Sequence, residues 1–225
     1  MLVAALRVKN EEWILDFTLS CLSDFCDAIV CVDDGSSDES VAIMKSYEKV
    51  RSIHINHPKN YRDIDEPRDW NKLTELATAC DAEWILYLDA DEMVSPNICK
   101  RISEYTSQDD YDVVRFRKIT PWFSFNKYRS DMPRFNHPPE NVLNPILVRQ
   151  VPSLKWDNNR GSFFKKLLKF AIRGEKFKPN YGRVFPSGVK NNALLSDDVV
   201  SLHYNFLDFN KILRKQLFYA IRERE

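Results

Sequence analysis

The first hundred residues of this 225-residue chain alternate short apolar runs with stretches of helical period, and this alternation constrains the fold most. The apolar or β-branched runs are Met1–Val8, Ala28–Val32, Val50–Ile55 and Trp84–Leu88. The stretches with helical spacing are residues 11–23, 37–48 and 68–80. Strands that read as continuous apolar runs separated by helices indicate βαβ units, which build a parallel sheet covered on both faces. We therefore predict an α/β fold with a mostly parallel central sheet and helices on both faces.

Two short motifs predict where helices begin. Ser36 and Glu39 have the S-x-x-E spacing of a capping box, in which each side chain binds a free backbone N–H of the other residue. Ser95 precedes Pro96, and proline is favoured at the first position of a helix because its missing N–H would have no partner there. We expect a helix to start at each motif.

After about residue 110 the pattern is less regular. Candidate strands are Tyr111–Ile119, Asn144–Val151 and Val199–Tyr204, and the Pro-, Asn- and aromatic-rich stretches between them are typical of loops. The sequence has no internal repeat and no clear linker. We predict one domain with a regular half (1–110) and an irregular half (111–225) that ends in a helix.

The net charge of zero, from 33 Lys and Arg against 33 Asp and Glu, hides an uneven distribution. Residues 1–110 hold 11 basic and 23 acidic residues, whereas residues 111–225 hold 22 basic and 10 acidic ones. An acidic half joined to a basic half suggests a cation site in the first and anion contacts in the second. The alternative is that two surfaces differ in charge without a functional reason.

Cysteine usage and hydropathy indicate a soluble, cytoplasmic protein. The chain has an odd number of cysteines without C-x-x-C spacing, which favours buried thiols in a reducing compartment over zinc or disulfides. The apolar stretches are much shorter than the roughly 20 residues that span a bilayer. Charged residues come too early at the N-terminus for a signal peptide.

Carboxylates follow two of the predicted strands directly. Asp33 and Asp34 come after one apolar run, and Asp89, Asp91 and Glu92 come after another. Ligands bind at the carboxyl ends of the strands in open parallel sheets, and crowded carboxylates at that edge need a counter-charge. Mg²⁺ or Mn²⁺ takes oxygen ligands and completes its shell with phosphate oxygens, so the pattern predicts a metal-bound nucleotide diphosphate. The alternative is that these residues only form turns and cap helices.

Three segments together resemble family 2 glycosyltransferases of the GT-A fold. They are Arg7–Glu11 (RVKNE), Val32–Asp38 (VDDGSSD) and Leu88–Glu92 (LDADE), and the resemblance covers roughly residues 1–105 and only thinly the rest. It implies a Rossmann-like GT-A fold and an inverting, metal-dependent enzyme. Such an enzyme would move a sugar from a UDP-linked donor to a hydroxyl of a glycan or lipid-linked acceptor, and no nucleic acid partner is expected.

The resemblance places the nucleotide at the strand ends and at the start of the third helix. Asp34 would accept a hydrogen bond from the base, Asp33 would hold the loop, and Asp89 would face the ribose. The other residues implied to contact the nucleotide are Arg7, Lys9, Asn10, Glu11 and either Arg68 or Asn71. The family usually has a small polar or aromatic residue where Arg7 and Lys9 stand, so this chain departs from the family there.

The metal, Mn²⁺ or Mg²⁺, would be held by Asp91 and His203. The histidine ends the last candidate strand within S-L-H-Y-N, and imidazole is an acceptable ligand for Mn²⁺. Glu92 is either a metal neighbour or a residue behind the ligands. A lone histidine can equally be a packed residue.

The catalytic base is expected in the second half. The candidates are Asp157, which follows Trp156 after a candidate strand, then Asp131, and also Glu140. Each would need to lie within hydrogen-bond reach of the acceptor hydroxyl. For each, a solvated surface carboxylate is the alternative.

Residues 160–178 combine apolar residues at helical spacing with many lysines and arginines. A basic amphipathic helix can lie on an anionic membrane, which would suit a lipid-linked acceptor and a peripheral location on the inner face of the membrane. An ordinary packed helix or a lid over the donor are the alternatives.

Three other functions fit parts of the pattern. A D-x-D phosphohydrolase would use Asp89 as nucleophile and Asp91 as acid, but it would leave the Asp33–Asp34 pair without a role. A sugar nucleotidylyltransferase would need a glycine-rich loop after the first strand, and Arg7–Glu11 contains no glycine. A nucleotide-sugar-binding module that has lost its base is the non-enzymatic alternative.

Overall fold

The computed structural model of the chain describes residues 1–58, 65–124, 127, 144–158, 184–190, 193–207 and 213. Asp131, Glu140 and the basic segment 160–178 lie outside these ranges, as does nearly all of the candidate C-terminal helix. The roles expected of them therefore stay predictions.

The first half of the chain alternates strands and helices as its pattern predicts. In chain order the elements up to residue 106 are β1 (Leu2–Val8), α1 (Glu12–Ser23), β2 (Ala28–Asp33), α2 (Ser40–Ser46), β3 (Val50–Ile55), α3 (Glu66–Thr78), β4 (Trp84–Asp89), β5 (Glu92–Val94) and α4 (Ile98–Thr106). The later strands are β6 (Val113–Ile119), β7 (Asn144–Arg149), β8 (Lys155–Asn158), β9 (Val184–Ser187) and β10 (Ala193–His203).

Within the described residues, eight strands form one sheet in the order β3-β2-β1-β4-β7-β6-β10-β5. The four strands of the first half pair in parallel, β7 runs antiparallel between β4 and β6, and β10 runs parallel to β6. Strands β8 and β9 form a separate antiparallel pair. The predicted α/β fold with a mostly parallel sheet is therefore confirmed.

Helices cover both faces of this sheet, which explains why its inner strands are apolar along their whole length. All six residues of β2 are buried. On one face, the core contains leucines of α1, Met44 of α2 and Tyr105 of α4. On the other face, α3 contributes Trp70 and Leu73, and β8 contributes Trp156. Burial on both faces is typical of parallel strands. Because the strands themselves are apolar, polar residues are found mainly at their ends.

Both predicted helix starts are wrong by a few residues. Helix α2 begins at Ser40, and the hydroxyl of Ser36 accepts a hydrogen bond from the backbone N–H of Asn10 (2.8 Å) instead of capping it. Helix α4 begins at Ile98 and not at Pro96. In the first case the serine is used to join two loops at the sheet edge, which a local motif does not reveal.

The short strands were not expected from the pattern. Strand β5 has three residues and strands β8 and β9 have four each, which is too short to show a period. Strand β10 starts at Ala193 rather than at the predicted Val199, and its register against β6 shifts between Leu195 and Val200. An irregular register explains why the alternation is hard to read there.

No helix in the described part of the chain is both long and apolar enough to cross a membrane.

Gly35 provides a test of the loop after β2. Its φ of +73° lies in the left-handed region, and a Cβ there would come within 2.9 Å of Cδ of Pro58. We expect Gly35→Ala to lower the free energy of unfolding by about 1–2 kcal/mol, because left-handed backbone is costly for alanine. Urea unfolding measures this, with Ser37→Ala as the control in the same loop. Equal stability of the two variants would contradict this account of the loop.

Candidate active site

Strand register brings the polar residues of three parallel strands to one edge. Val8 of β1 lies opposite Asp33 of β2, and Arg7 lies opposite Asp89 of β4. The backbone N–H of Asp34 then donates to the carbonyl of Val8 at 2.9 Å. The predicted crowding of carboxylates at the carboxyl ends of these strands is therefore present.

The counter-charge at Asp89 comes from the chain itself, through Arg7. Its Nε and a terminal nitrogen both donate to Asp89 Oδ1, at 3.0 and 2.9 Å, and the guanidinium also lies 3.3 Å from Glu66 and over the Trp70 ring. Burial lowers the pKa of Arg7, but Asp89 and Glu66 outweigh it, so the net pKa is raised and the charge is retained. Arg7 thus fixes Asp89 through one oxygen.

Asp34 is held in the same way by a neutral partner. The side-chain nitrogen of Asn56 donates to Asp34 Oδ1 (3.2 Å) and to Asp69 Oδ1 (3.0 Å). Arg68 donates to Asp69 Oδ1 from two nitrogens and lies 3.6 Å from Asp34. Burial raises the pKa of Asp69 even though Arg68 and Asn56 act to lower it. Two buried carboxylates therefore share one amide and one guanidinium.

The loop after β1 and the loop after β2 are tied together. Lys9 Nζ donates to the carbonyl oxygens of Asp34 and Gly35, each at 2.7 Å. Asn10 Oδ1 accepts from the backbone N–H of Ser37 at 2.8 Å. The backbone N–H of Glu11 donates to the Ser40 hydroxyl. Lys9, Asn10 and Glu11, which were expected to contact the nucleotide, therefore hold these two loops together.

Asp33 has the loop-holding contact that the resemblance implies. It is fully buried, and its Oδ2 accepts from the backbone N–H of Ser36 at 2.8 Å. Its Oδ1 makes no hydrogen bond within the described residues. The hydrogen bond to Ser36 therefore closes the turn after β2.

Asp91 and His203 meet although 112 positions of sequence separate them. His203 Nε2 lies 3.4 Å from Asp91 Oδ1, and β10 pairs with β5 so that His203 lies opposite Glu92. His203 Nδ1 lies 3.9 Å from Glu92, and the Lys118 ammonium forms an ion pair with that carboxylate. The structure therefore gathers two carboxylates, an imidazole and an ammonium group at one point.

The Asp91 and His203 atoms fit a divalent cation. Ligands of an octahedral ion at about 2.1 Å stand about 3 Å apart when adjacent, close to the separation seen here. His203 Nε2 is buried and makes no hydrogen bond to a described residue, as a ligand atom should. Among the described residues, no three His, Cys, Asp or Glu side chains are arranged so that they could hold a metal ion together, so phosphate or water oxygens would complete the shell.

Two predicted site residues are not brought to this edge. Both amide atoms of Asn71 bind the backbone of Trp156, at 2.8 and 2.9 Å, so the side chain anchors β8 to α3. Asp157 is exposed, accepts from the Ser187 hydroxyl at 3.0 Å and lines a separate open groove with Glu75. Side chains alternate along a strand, so the buried Trp156 turns its neighbour Asp157 outward. The structure gives the predicted base role of Asp157 no support.

Sequence reasoning missed Asn56, Glu66, Asp69, Trp70 and Lys118. Asn56 follows β3 directly, so the rule that found the aspartates applies to it as well. Lys118 lies near the end of β6 and could have been found in the same way. Asp69 and Trp70 look like ordinary helix residues, and only the packing of α3 against β1 and β2 brings them to the edge.

Comparison with known proteins places this geometry in a family. The family model described as "Glycosyl transferase family 2" matches residues 6–170. The chain belongs to glycosyl transferase family 2. Among solved structures, TarS residues 1–349 of S. aureus gives a TM-score of 0.52 at 16% identity, covering 97% of this chain and 64% of that one. This likeness concerns the fold and agrees with the predicted GT-A architecture.

Curated relatives of this family 2 chain match over shorter stretches. EpsH of Bacillus subtilis (strain 168), a glycosyltransferase by name, is 26% identical over 153 residues, which is 65% of this chain and 42% of EpsH. The MG060 homolog of Mycoplasma pneumoniae, also a glycosyltransferase by name, is 26% identical over 95 residues, which is 42% of this chain and 31% of that protein. The chain thus matches less than half the length of each of these two relatives.

Asn71 allows the structural and nucleotide-contact roles to be separated. We expect Asn71→Ala to lower the free energy of unfolding by roughly 2 kcal/mol, because two hydrogen bonds to the Trp156 backbone are lost at about 1 kcal/mol each. Chemical unfolding of the two proteins measures the difference. A variant of normal stability that binds UDP weakly would instead return Asn71 to the nucleotide site.

Proposed function

We propose that this family 2 chain is an inverting, metal-dependent glycosyltransferase that uses a UDP-linked sugar. The observation that supports this most is the pairing of Asp91 with His203 at the sheet edge that also carries Asp34 and Asp89. One edge thus offers ligands for a cation and carboxylate oxygens for a nucleoside. A nucleotide diphosphate has phosphate oxygens that bind a cation and a nucleoside that donates hydrogen bonds to carboxylates.

Two carboxylates at the edge each keep one oxygen for the donor. Asp34 and Asp89 are both engaged through Oδ1, and their Oδ2 atoms bind no described residue. In the proposed complex, Asp34 Oδ2 accepts the N–H of the base and Asp89 Oδ2 accepts a ribose hydroxyl. Because Oδ1 is fixed in each case, Oδ2 is oriented before the ligand arrives, which reduces the cost of binding.

Asp91 and His203 are the proposed ligands of Mn²⁺ or Mg²⁺, with diphosphate oxygens in the remaining positions. The bound ion would stabilise the negative charge that develops on the departing diphosphate, a contribution of several kcal/mol in such reactions. Glu92 lies behind His203, and Lys118 offsets its charge. The protein therefore presents the ligands in a buried setting without a large excess of negative charge.

In the proposed reaction, an acceptor hydroxyl attacks the anomeric carbon from the face opposite the diphosphate. The bond to the diphosphate oxygen breaks, the diphosphate keeps the electron pair, and the hydroxyl proton passes to a carboxylate base. Asp131 and Glu140 remain predicted bases. The acceptor, a glycan or lipid-linked hydroxyl, and a cytoplasmic location with membrane contact through residues 160–178 are likewise proposals.

The D-x-D phosphohydrolase is less well supported. Its nucleophile, Asp89, accepts two hydrogen bonds from Arg7 on one oxygen, and the Asp34–Asn56–Asp69 cluster would have no role in that reaction. Release of phosphate from a sugar phosphate without an acceptor would favour it nonetheless.

Asp91→Asn tests the metal assignment. We expect sugar transfer, or slow hydrolysis of the UDP-sugar in place of transfer, to fall by about 100-fold or more, since a charged metal ligand is lost. Calorimetry should also show that Mn²⁺ no longer strengthens UDP binding. Both are measured against the wild-type protein.

The matched control for that experiment is Asp198→Asn, a half-exposed aspartate paired with Arg101 beyond the cleft. In this variant, the strengthening of UDP binding by Mn²⁺ should stay within about twofold of the wild-type value, because exposed ion pairs contribute little to stability. Near-normal transfer by Asp91→Asn would overturn the metal assignment. UDP binding by the wild-type protein without turnover on any acceptor would favour the binding module.

A further inference from the structure

Asn56 lies at the centre of the hydrogen-bond network around the nucleobase carboxylate. Its two amide hydrogens are both used, one by Asp34 and one by Asp69. Its backbone N–H donates to the carbonyl of Asp33 at 2.8 Å, so the residue is fixed through main chain and side chain together. The amide orientation is also determined, because its oxygen would repel either carboxylate.

We propose that Asn56 is the positioning residue that makes this site select bases with a ring N–H, such as uracil, over bases without one, such as cytosine. This inference rests on the proposed function, which places the base at Asp34. Asn56 occupies Asp34 Oδ1, so only Oδ2 remains to meet the base. A carboxylate oxygen accepts a hydrogen bond from uracil N3–H, but it is repelled by the lone pair of cytosine N3.

Asp69 strengthens this arrangement from behind. It is almost completely buried, and it anchors the second hydrogen of the Asn56 amide. Arg68 donates two hydrogen bonds to the same Asp69 oxygen and so offsets the charge of the pair. With its amide held at both ends, Asn56 cannot rotate away from Asp34, and the Asp34 carboxylate keeps one orientation.

Neither Gly35 nor Lys9 provides another hydrogen-bond donor to the Asp34 carboxylate. Gly35 packs against the Asn56 segment so closely that a Cβ would lie 3.3 Å from the Asn56 carbonyl oxygen. The Lys9 ammonium donates to the backbone carbonyls of Asp34 and Gly35 and not to the Asp34 carboxylate. The orientation of Asp34 therefore depends on Asn56 and, more weakly, on Arg68 at 3.6 Å.

The test is the ratio of the dissociation constants of CDP and UDP, measured by calorimetry in Mn²⁺. The two ligands share ribose, diphosphate and metal, so a general loosening of the site changes both constants equally and leaves the ratio unchanged. We expect the wild-type protein to prefer UDP at least tenfold. In Asn56→Ala, UDP should weaken by roughly tenfold while CDP stays within about twofold, so the preference disappears.

Asn56→Leu is the second variant, because leucine is close to asparagine in size and removes both donors without adding a charge. It should lose the preference as well. The matched control is Asn97→Ala, which removes an exposed side-chain hydrogen bond to the Asp198 carbonyl at the start of α4 and should keep the wild-type ratio. Thermal unfolding confirms that each protein is folded.

The outcomes are distinguishable. If a folded Asn56 variant keeps the wild-type ratio, or weakens UDP and CDP equally, Asn56 does not set base selection and the inference is wrong. If the wild-type protein binds neither UDP nor CDP in Mn²⁺, the proposed function itself fails. If the wild-type protein binds both equally, Asp34 does not read the ring N–H, and the inference fails while nucleotide binding stands.

Discussion

The structure depends on keeping several carboxylates buried at the carboxyl ends of its parallel strands. Asp33, Asp34, Asp69 and Asp91 are each at most 4% exposed. An unpaired buried charge costs several kcal/mol, so each must find a partner. The chain supplies these partners from different elements: the backbone N–H of Ser36 for Asp33, Asn56 after β3 for Asp34 and Arg68 from α3 for Asp69. His203 of β10 lies 3.4 Å from Asp91. The strands and helices of the first half of the fold bring the carboxylates and their partners together at the carboxyl ends of the parallel strands.

Two of the carboxylates at these strand ends are hydrogen-bonded through only one of their two oxygens. Donors engage one oxygen of Asp34 and one of Asp89, and the second oxygen of each binds no described residue. A fully neutralised edge would be more stable but could not bind a charged ligand. Binding sites commonly keep groups in surroundings that would be unfavourable elsewhere, and the stability is regained in the core. Here the two cores on the faces of the sheet contain the large apolar residues that do this.

The sequence predicted the strand ends well because apolar runs and the rule for parallel sheets are local signals. It placed Asp33, Asp34, Asp89 and Asp91 at one edge, and it anticipated that His203 would end a strand near them. The roles of Arg7 and Lys9 needed the structure, since a basic residue near a predicted nucleotide looks like a ligand contact. In fact each binds protein atoms, a carboxylate for Arg7 and two carbonyls for Lys9. The structure places Asn71 and Asp157 away from these strand ends because α3 packs against β8, where Trp156 is 85 positions from Asn71, and no periodicity records that contact.

His203 comes close to Asp91 because β10 pairs with β5. In the strand order of the sheet, β5 is the outermost strand on the side opposite β3. Strand β5 is part of the first half of the chain, and β10 is nearly its last described element. During synthesis, all the aspartates at these strand ends are therefore made well before His203. Asp91 and His203 meet only when β10 pairs with β5. Under the proposed function, binding of the metal and nucleotide would therefore require both halves of the domain to be assembled. Any ligand that needs His203 would also resist local opening of that outer strand, since release of β10 would remove the histidine from Asp91.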